Sequence, residues 1–197
     1  MYWENSGYFF LKRVFDIILS TLGLITSAPV IIFFIIFIKV ETPGPAFFFQ
    51  ERVGLGGKYF NVIKLRSMGI DAEKNGAQWA QKNDPRVTRI GSFIRKTRID
   101  ELPQLYNVLK GDMTLVGPRP ERPVFTAQFN EEIPGFVMRL RVKPGITGWA
   151  QINGGYDITP KQKLELDNYY IRNMSFWMDL KILLITALVC LTGNGAR

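Results

Sequence analysis

The chain of 197 residues contains no histidine and a single cysteine, Cys190. Without histidine there is no imidazole to act as acid or base near neutral pH, and catalytic arrangements built on it are excluded. One cysteine allows no disulfide within the chain, and a zinc site of cysteine and histidine ligands is excluded as well. Both absences fit a reducing compartment. Cys190 lies in an apolar run and reads as a small packing residue. If the protein is an enzyme, a carboxylate must do the central chemistry. An ionised aspartate is already anionic at pH 7 and needs no base to become a nucleophile.

Acidic residues are also outnumbered. Lysine plus arginine total 25 against 17 aspartates and glutamates, for a net charge of +8 and a pI near 9.7. Such a balance suits anionic partners, whether phosphates, acidic headgroups or nucleic acid, or it serves solubility alone. The length allows one domain with a real core, or a small domain with a membrane element. No internal repeat or low-complexity tract is present.

Charge is nearly missing from Val14 to Ile38, 25 residues in which Asp16 is the only ionisable group. A bilayer-spanning helix needs roughly 20 apolar residues. No small-residue cleavage site follows, so a signal peptide fits poorly. Pro29 sits inside the run, where it removes a backbone donor and should break or sharply bend a helix. Lys12 and Arg13 precede the run and Lys39 follows it, so positive charge favours export of neither end. Val30 to Ile38 would cover only about 14 Å as a helix. Both a plain span and a helix that enters, turns at Pro29 and returns to the same face remain open. The hydroxyls of Thr26 and Ser27 are the local groups that could satisfy carbonyls freed by such a bend.

Beyond the exit turn Thr42-Pro43-Gly44-Pro45, Ala46 to Glu51 and Lys58 to Arg66 read as a β-hairpin around Gly54-Leu55-Gly56-Gly57. Ile70 to Pro85 reads as a polar surface loop with a helical turn near Ala72 to Lys74. Short helices are expected over Gly91 to Thr97 and Asp100 to Leu109, the second with Pro103 in its first turn and Gly111 at its end. Arg122 to Arg141 reads as a helix interrupted near Pro134-Gly135. Lys161 to Ile171 and Phe176 to Leu191 are further helices, the last suited to the core or to a membrane interface with Trp177 at headgroup level.

The residues able to carry chemistry centre on Asp100 and Glu101. At a helix start the dipole favours both anions, and side chains about 100° apart can reach one ligand. Arg95 and Arg98 come just before, and Lys64 and Arg66 end the second strand. Arginine can grip phosphate oxygens with two parallel bonds. Arg119 stands between Pro118 and Pro120, a rigid platform that loses little order on binding an anion. Gln151, Asn153 and Asp167 could contact a sugar or base, and Trp149 could stack or anchor. Plainer readings stand beside these. Asp100 and Glu101 can be a cap and a first-turn acid, the cations a solvated face, and Arg119 the partner of Asp112. The mixture of bases and aromatics from Lys58 to Arg66 lacks the pattern of a nucleic-acid binder.

A more specific pattern emerges from several segments in order: Lys12-Arg13-Val14-Phe15-Asp16, Gln50-Glu51-Arg52-Val53-Gly54, Ile63-Lys64-Leu65-Arg66-Ser67-Met68 and Ile99-Asp100-Glu101-Leu102-Pro103-Gln104-Leu105. Asn107 to Met113, Val116-Gly117-Pro118-Arg119-Pro120, Lys143 to Gln151 and Leu166 to Tyr170 follow. Across almost its whole length the chain resembles the monotopic phosphoglycosyl transferases, also called bacterial sugar transferases. The resemblance implies a predominantly helical α+β fold, with a re-entrant membrane helix broken at Pro29, a small hairpin and amphipathic interfacial helices. Residues 1–41 would form the anchor and 42–197 the catalytic domain.

The resemblance further implies an Asp100-Glu101 dyad that holds Mg2+, with Lys64, Arg66, Arg95, Pro118, Arg119, Pro120 and Gln151 binding substrate. The reaction would move a sugar phosphate from a UDP-sugar to polyprenyl (undecaprenyl) phosphate, releasing UMP through a phospho-sugar on Asp100. It would open a glycoconjugate pathway at the cytosolic face of a bacterial inner membrane. Membrane phospholipid and a homodimer are further expected partners; nucleic acid is not. Three features depart from the family's pattern. Ala28 stands where a serine usually precedes the proline, and Asn153-Gly154-Gly155 stands where many relatives have Asn-Gly-Arg. No multi-helix N-terminal extension is seen, as in a minimal catalytic form. The competing expectation is a non-catalytic, membrane-anchored basic module. No residue announces which sugar is transferred.

Overall fold

The computed structural model describes residues 6–74, 76–78, 84–154 and 158–192. Asn83 of the expected surface loop and Gly155 of the Asn-Gly-Gly segment lie outside them, as does the Cys190 side chain. Helix α1 runs from Ser6 to Glu41 with Pro29 inside it. The helix is therefore not broken at Pro29; the other form of that expectation, a bend, leaves the helix continuous. A proline costs one hydrogen bond and some clash, and continuous apolar helix on both sides outweighs a local break. Thr26 Oγ1 bonds back to the carbonyls of Leu22 (2.9 Å) and Gly23 (3.2 Å), while the Ser27 hydroxyl has no partner among the described residues.

By length and composition, Gly7–Glu41 could cross a membrane. Much of its surface, including Phe10, Ile18, Leu22, Ile25, Ile32, Ile36 and Val40, is exposed apolar side chain. Its two ends nonetheless pack on one folded body. Near the start, Asp16 is 5% exposed and accepts from Thr114 Oγ1 (2.6 Å) and the Leu115 N–H (3.0 Å). This explains a carboxylate inside an apolar run, because a buried charge persists when it is hydrogen-bonded. Arg13 donates to the carbonyls of Val108 and Leu109 at 2.6 and 2.7 Å. Lys12 reaches the Val116 carbonyl at 2.9 Å and Asp179 at 2.6 Å. At the other end, Ile38 is buried with Ala46, Leu65 and Ile94. The Glu41 carboxylate accepts from the Arg89 and Ile90 N–H groups, capping the next helix.

The hairpin is β1 (Phe47–Val53) and β2 (Tyr59–Leu65), antiparallel, with Phe47 opposite Leu65 and Val53 opposite Tyr59. A 3₁₀ turn, Ile70–Glu73, opens the following loop. Helix α2 (Arg89–Lys96) is capped by Thr88 Oγ1, which accepts from the Gly91 N–H. A 3₁₀ turn, Ile99–Glu101, leads into α3 (Gln104–Lys110). Gly111 ends α3 at φ 96°, a conformation that favours glycine. Strand β3 (Thr114–Val116) pairs in parallel with β4 (Gly145–Thr147), Thr114 opposite Gly145. Three-residue strands so far apart carry no periodic signal, and sequence reading missed them. Helix α4 (Pro123–Glu132) and a 3₁₀ segment, Phe136–Arg141, fill the connection, interrupted where Pro134-Gly135 predicts.

Three helices complete the chain: α5 (Trp149–Gly154), α6 (Pro160–Asn173) and α7 (Phe176–Thr192). Thr159 and Gln162 form a capping box on α6. The main core joins Val62 of β2, Val108 of α3, Leu115 and Val116 of β3, Tyr170 and Ile171 of α6 and Ile182 of α7. Each such side chain contributes about 1.5–3 kcal/mol by leaving water. The fold is a predominantly helical α+β arrangement, as expected. Trp177, Leu184 and Leu188 of α7 stay exposed.

Candidate active site

The corner between α2 and α3 creates the site. Arg98 sits at φ 60°, the only non-glycine with positive φ among the described residues. Such a backbone costs of order 1–3 kcal/mol and persists only where surrounding structure enforces it. The turn it makes carries Asp100 and Glu101 inward, to 7% and 9% exposure. Asp100 is not a helix cap, and α3 starts at Gln104 rather than Asp100; both acids lie in the first turn of the 3₁₀ segment, as the plainer reading had it for Glu101.

The neighbours meet opposite environments. Glu101 Oε1 accepts from Lys64 Nζ at 2.9 Å, and Arg119 grips both Glu101 oxygens, one of them at 3.2 Å. Burial alone would push the Glu101 carboxyl up, but the charges of Arg119 and Lys64 hold it well below the usual carboxylate range. Asp100 has no hydrogen bond or ion pair among the described residues. Burial, then the adjacent Glu101 charge, pushes its carboxyl up to about 6. At pH 7 it is anionic yet poorly stabilised, the state wanted of a nucleophile. Lys64, Arg95 and Arg119 all act on it at a distance in the opposite sense. Burial lowers the Lys64 ammonium, and Glu101 opposes that.

Arg119 arrives from the loop after β3. The pairing of β3 with β4 sets that loop, and Gly145 permits it. A Cβ on Gly145 would stand 2.1 Å from the Gly117 nitrogen. Arg119 pairs with Glu101 rather than Asp112, whose carboxylate takes Lys110 at 2.9 Å. Gln151 joins from α5. Its Nε2 donates to the Ile146 carbonyl at 2.9 Å, the oxygen that Arg119 Nη1 also approaches at 3.5 Å. Gln151 Oε1 is buried without a partner among the described residues. Gln104, one helical turn after Asp100, is 2% exposed and its Nε2 is likewise unpartnered.

Other singled-out residues sit elsewhere. Arg66 donates to the carbonyls of Pro43 (2.6 Å) and Thr42 (2.8 Å), clasping the exit of α1. Asp167 is paired with Arg139 at 2.7 Å. Asn153 folds back on the Trp149 carbonyl at 2.8 Å. Trp149 stacks on Tyr169 with ring centres 5.4 Å apart, and Lys181 lies 5.5 Å over its face. Arg52, Glu121, Arg139 and Lys163, which cluster behind the Pro-Arg-Pro loop, escaped sequence reading. Only the position of Glu121, directly after Pro120, hinted at them. No group of three or more acidic, cysteine or histidine side chains suited to a metal occurs among the described residues.

An unpaired carboxylate beside a charge-fixed one, ringed by cations, is a setting for phosphoryl transfer by an enzyme without histidine. The chain belongs to the bacterial sugar transferase family, whose profile matches residues 7–193. It is 49% identical, over 96% of its length, to the UDP-N-acetylgalactosamine-undecaprenyl-phosphate N-acetylgalactosaminephosphotransferase of Aeromonas hydrophila. It is 67% identical, over 70% of its length, to a putative undecaprenyl-phosphate N-acetylgalactosaminyl 1-phosphate transferase of Bacillus subtilis strain 168, 76% of which is covered. Against the UDP-glucose:undecaprenyl-phosphate glucose-1-phosphate transferase of Escherichia coli K12 the identity is 45% over 89% of the chain. The chain spans only 46% of the Aeromonas relative and 39% of the Escherichia one.

Proposed function

We propose that the protein transfers a sugar-1-phosphate from a UDP-sugar to undecaprenyl phosphate, through a covalent intermediate on Asp100. The observation that carries this reading is the contrast within the dyad: Glu101 is held by Lys64 and Arg119, while Asp100 is buried and has no ion pair among the described residues. An Asp100 carboxylate oxygen forms a bond to the sugar-bearing phosphorus. The bond from that phosphorus to the bridging oxygen breaks, and UMP leaves with the electron pair. A phosphate oxygen of the lipid then attacks the same phosphorus. The bond to Asp100 breaks, the carboxylate is restored, and the lipid carries a diphosphate-linked sugar. Both nucleophiles are already anions, so neither step requires a histidine. Lys64, Arg95 and Arg119 offer positive charge where the pyrophosphate must lie.

Magnesium fits this donor set. It is commonly held by one or two carboxylates together with substrate phosphates rather than by an all-protein cage. Asp100 and Glu101 would hold it, and its charge would offset that of the pyrophosphate. The unpartnered Asp100 carboxylate leaves oxygen available for it.

Association with a bacterial inner membrane, catalytic body on the cytosolic side, is the reading that α1 and the acceptor support. A 36-residue helix is about 54 Å long, well beyond the roughly 30 Å of hydrocarbon. A plain span would place its ends on opposite sides, yet Lys12, Arg13 and Asp16 grip the same body as Ile38 and Glu41. That supports entry and return at one face, where a soluble donor can meet a lipid acceptor.

The test uses the full chain in lipid with Mg2+, undecaprenyl phosphate and a panel including UDP-N-acetylgalactosamine and UDP-glucose. UMP release that requires Asp100, together with a sugar-phosphate mass adduct on the protein when acceptor is withheld, is the expected result. Release by Asp100→Asn at the wild-type rate would overturn the mechanism.

A further inference from the structure

We propose that Arg139 is a positioning residue of the transfer reaction: it holds the backbone of Arg119 and thereby sets the guanidinium that grips Glu101. The inference rests on the transferase reading and adds a device behind its site.

The segment Pro118-Arg119-Pro120 has a peculiar hydrogen-bond balance. Two of its three residues lack an N–H, so it is rich in acceptors and poor in donors. All three carbonyls are satisfied from outside. Pro118 O accepts from the Gly145 N–H at 3.0 Å, Arg119 O from Arg139 Nη2 at 2.7 Å, and Pro120 O from Arg52 Nη1 at 2.9 Å. The middle carbonyl, on the residue that reaches the dyad, therefore depends on a side chain from the 3₁₀ segment Phe136–Arg141.

Arg139 is itself fixed. It is 3% exposed, its Nη2 lies 2.7 Å from Asp167 and its Nη1 3.7 Å from Glu121, and the Phe136 ring stands 5.0 Å from its guanidinium carbon. Glu121 in turn takes Lys163 and lies 3.8 Å from Arg52, and its own carbonyl accepts from the Val53 N–H at 2.9 Å. Packed apolar residues often stabilise a region as well as a buried ionic cluster does. They could not donate to a loop carbonyl. A guanidinium that meets a carboxylate and a carbonyl together ties the loop to α6 through Asp167 in one rigid joint.

The consequence is geometric. A displacement of about 1 Å at a site of this kind can cost 10²-fold in rate. Loosening Arg119 at its backbone would move the tip that engages Glu101, without touching any substrate atom.

A double-mutant cycle in the full chain in lipid tests this. Arg139→Lys keeps a cation between Glu121 and Asp167 but gives up the fork. Arg139→Gln would leave Asp167 without a cation and is avoided. Arg139→Lys is expected to lower kcat/KM for UMP release by about 10–100-fold and to speed hydrogen exchange across residues 117–122. In an Arg119→Gln background it should cost less than about threefold more, because its route of action is gone. Lys163→Met is the control. It disturbs Glu121 but donates to no loop carbonyl, so it should lower Tm while leaving kcat/KM within about threefold. Fully multiplicative losses from Arg139→Lys and Arg119→Gln, or unchanged exchange at 117–122, would overturn the positioning role. If the wild type releases no UMP from any donor, the reaction reading fails, and the exchange measurement alone decides whether Arg139 holds the loop.

Discussion

Two glutamates flank the Pro-Arg-Pro loop in space, and each is buried among cations. Glu101, before it in sequence, takes Lys64 and Arg119; Glu121, after it, takes Lys163 and lies near Arg139 and Arg52. In both, burial raises the carboxyl and neighbouring cations reverse the shift, leaving it below its usual range. The difference lies in what stands next door. Beside Glu121, Asp167 is paired with Arg139. Beside Glu101, Asp100 has no ion pair among the described residues, and burial with the Glu101 charge pushes its carboxyl up to about 6. The same chemistry thus produces a support where each carboxylate has a cation within ion-pair distance and a site where, among the described residues, one carboxylate has none.

The sharpest way to break this contrast is to remove the leftover charge. Asp100→Asn should lower turnover by on the order of 10³-fold or more while leaving Tm nearly unchanged, since none of the described residues pairs with that carboxylate. Steady-state UMP release and a thermal melt measure the two effects. Arg119→Gln comes next, with a loss of about 10²–10³-fold, since it removes one preorganised cation and frees Glu101.

Acid should separate the two regions without mutation. Protonation of Asp100 as pH falls through about 6 would remove the proposed nucleophile, so UMP release should fall there. A raised carboxyl does not weaken the fold on protonation. The lowered carboxyls of Glu101 and Glu121 contribute stability that is complete above the ordinary glutamate value of 4.5 and is lost below it, through their folded values. Activity should thus vanish reversibly before the melt shifts. More magnesium should move the activity limb to lower pH, because a bound cation favours the anion. Coincident loss of activity and fold would remove the distinction.

Two smaller effects calibrate the support. Lys163→Met leaves Glu121 short of its nearest cation and should cost about 3 kcal/mol in denaturant unfolding. Lys110→Ala removes a pair with Asp112 at the surface, where lysine is 60% exposed, and should cost less than about 0.5 kcal/mol.

Much of this was legible along the chain, and the misses share a cause. The hairpin, the short helices on either side of Asp100, and the break before Phe136 follow from local periodicity, glycine and proline. Asp100, Glu101, Lys64 and Arg119 were recognisable as a set by residue type and order. Arg66, also a cation and only two residues from Lys64, ends on the exit turn of α1 instead. Strand alternation would put Arg66 on the same face as Lys64, but β2 ends at Leu65, so Arg66 has left the strand and its direction depends on how the chain leaves the hairpin. Pro29 does not end the helix, which continues through it.

Local chemistry, then, was carried in residue type and spacing: an apolar helix, a carboxylate pair without histidine, an arginine between prolines. Folding alone decided which of two adjacent carboxylates would be neutralised and which left unpaired. That choice depends on contacts between β2, the α2–α3 corner and the loop after β3, segments as much as 55 residues apart from Lys64 to Arg119. Charge pairing acts over a few ångströms in space, and no pattern along the chain encodes which cations will arrive.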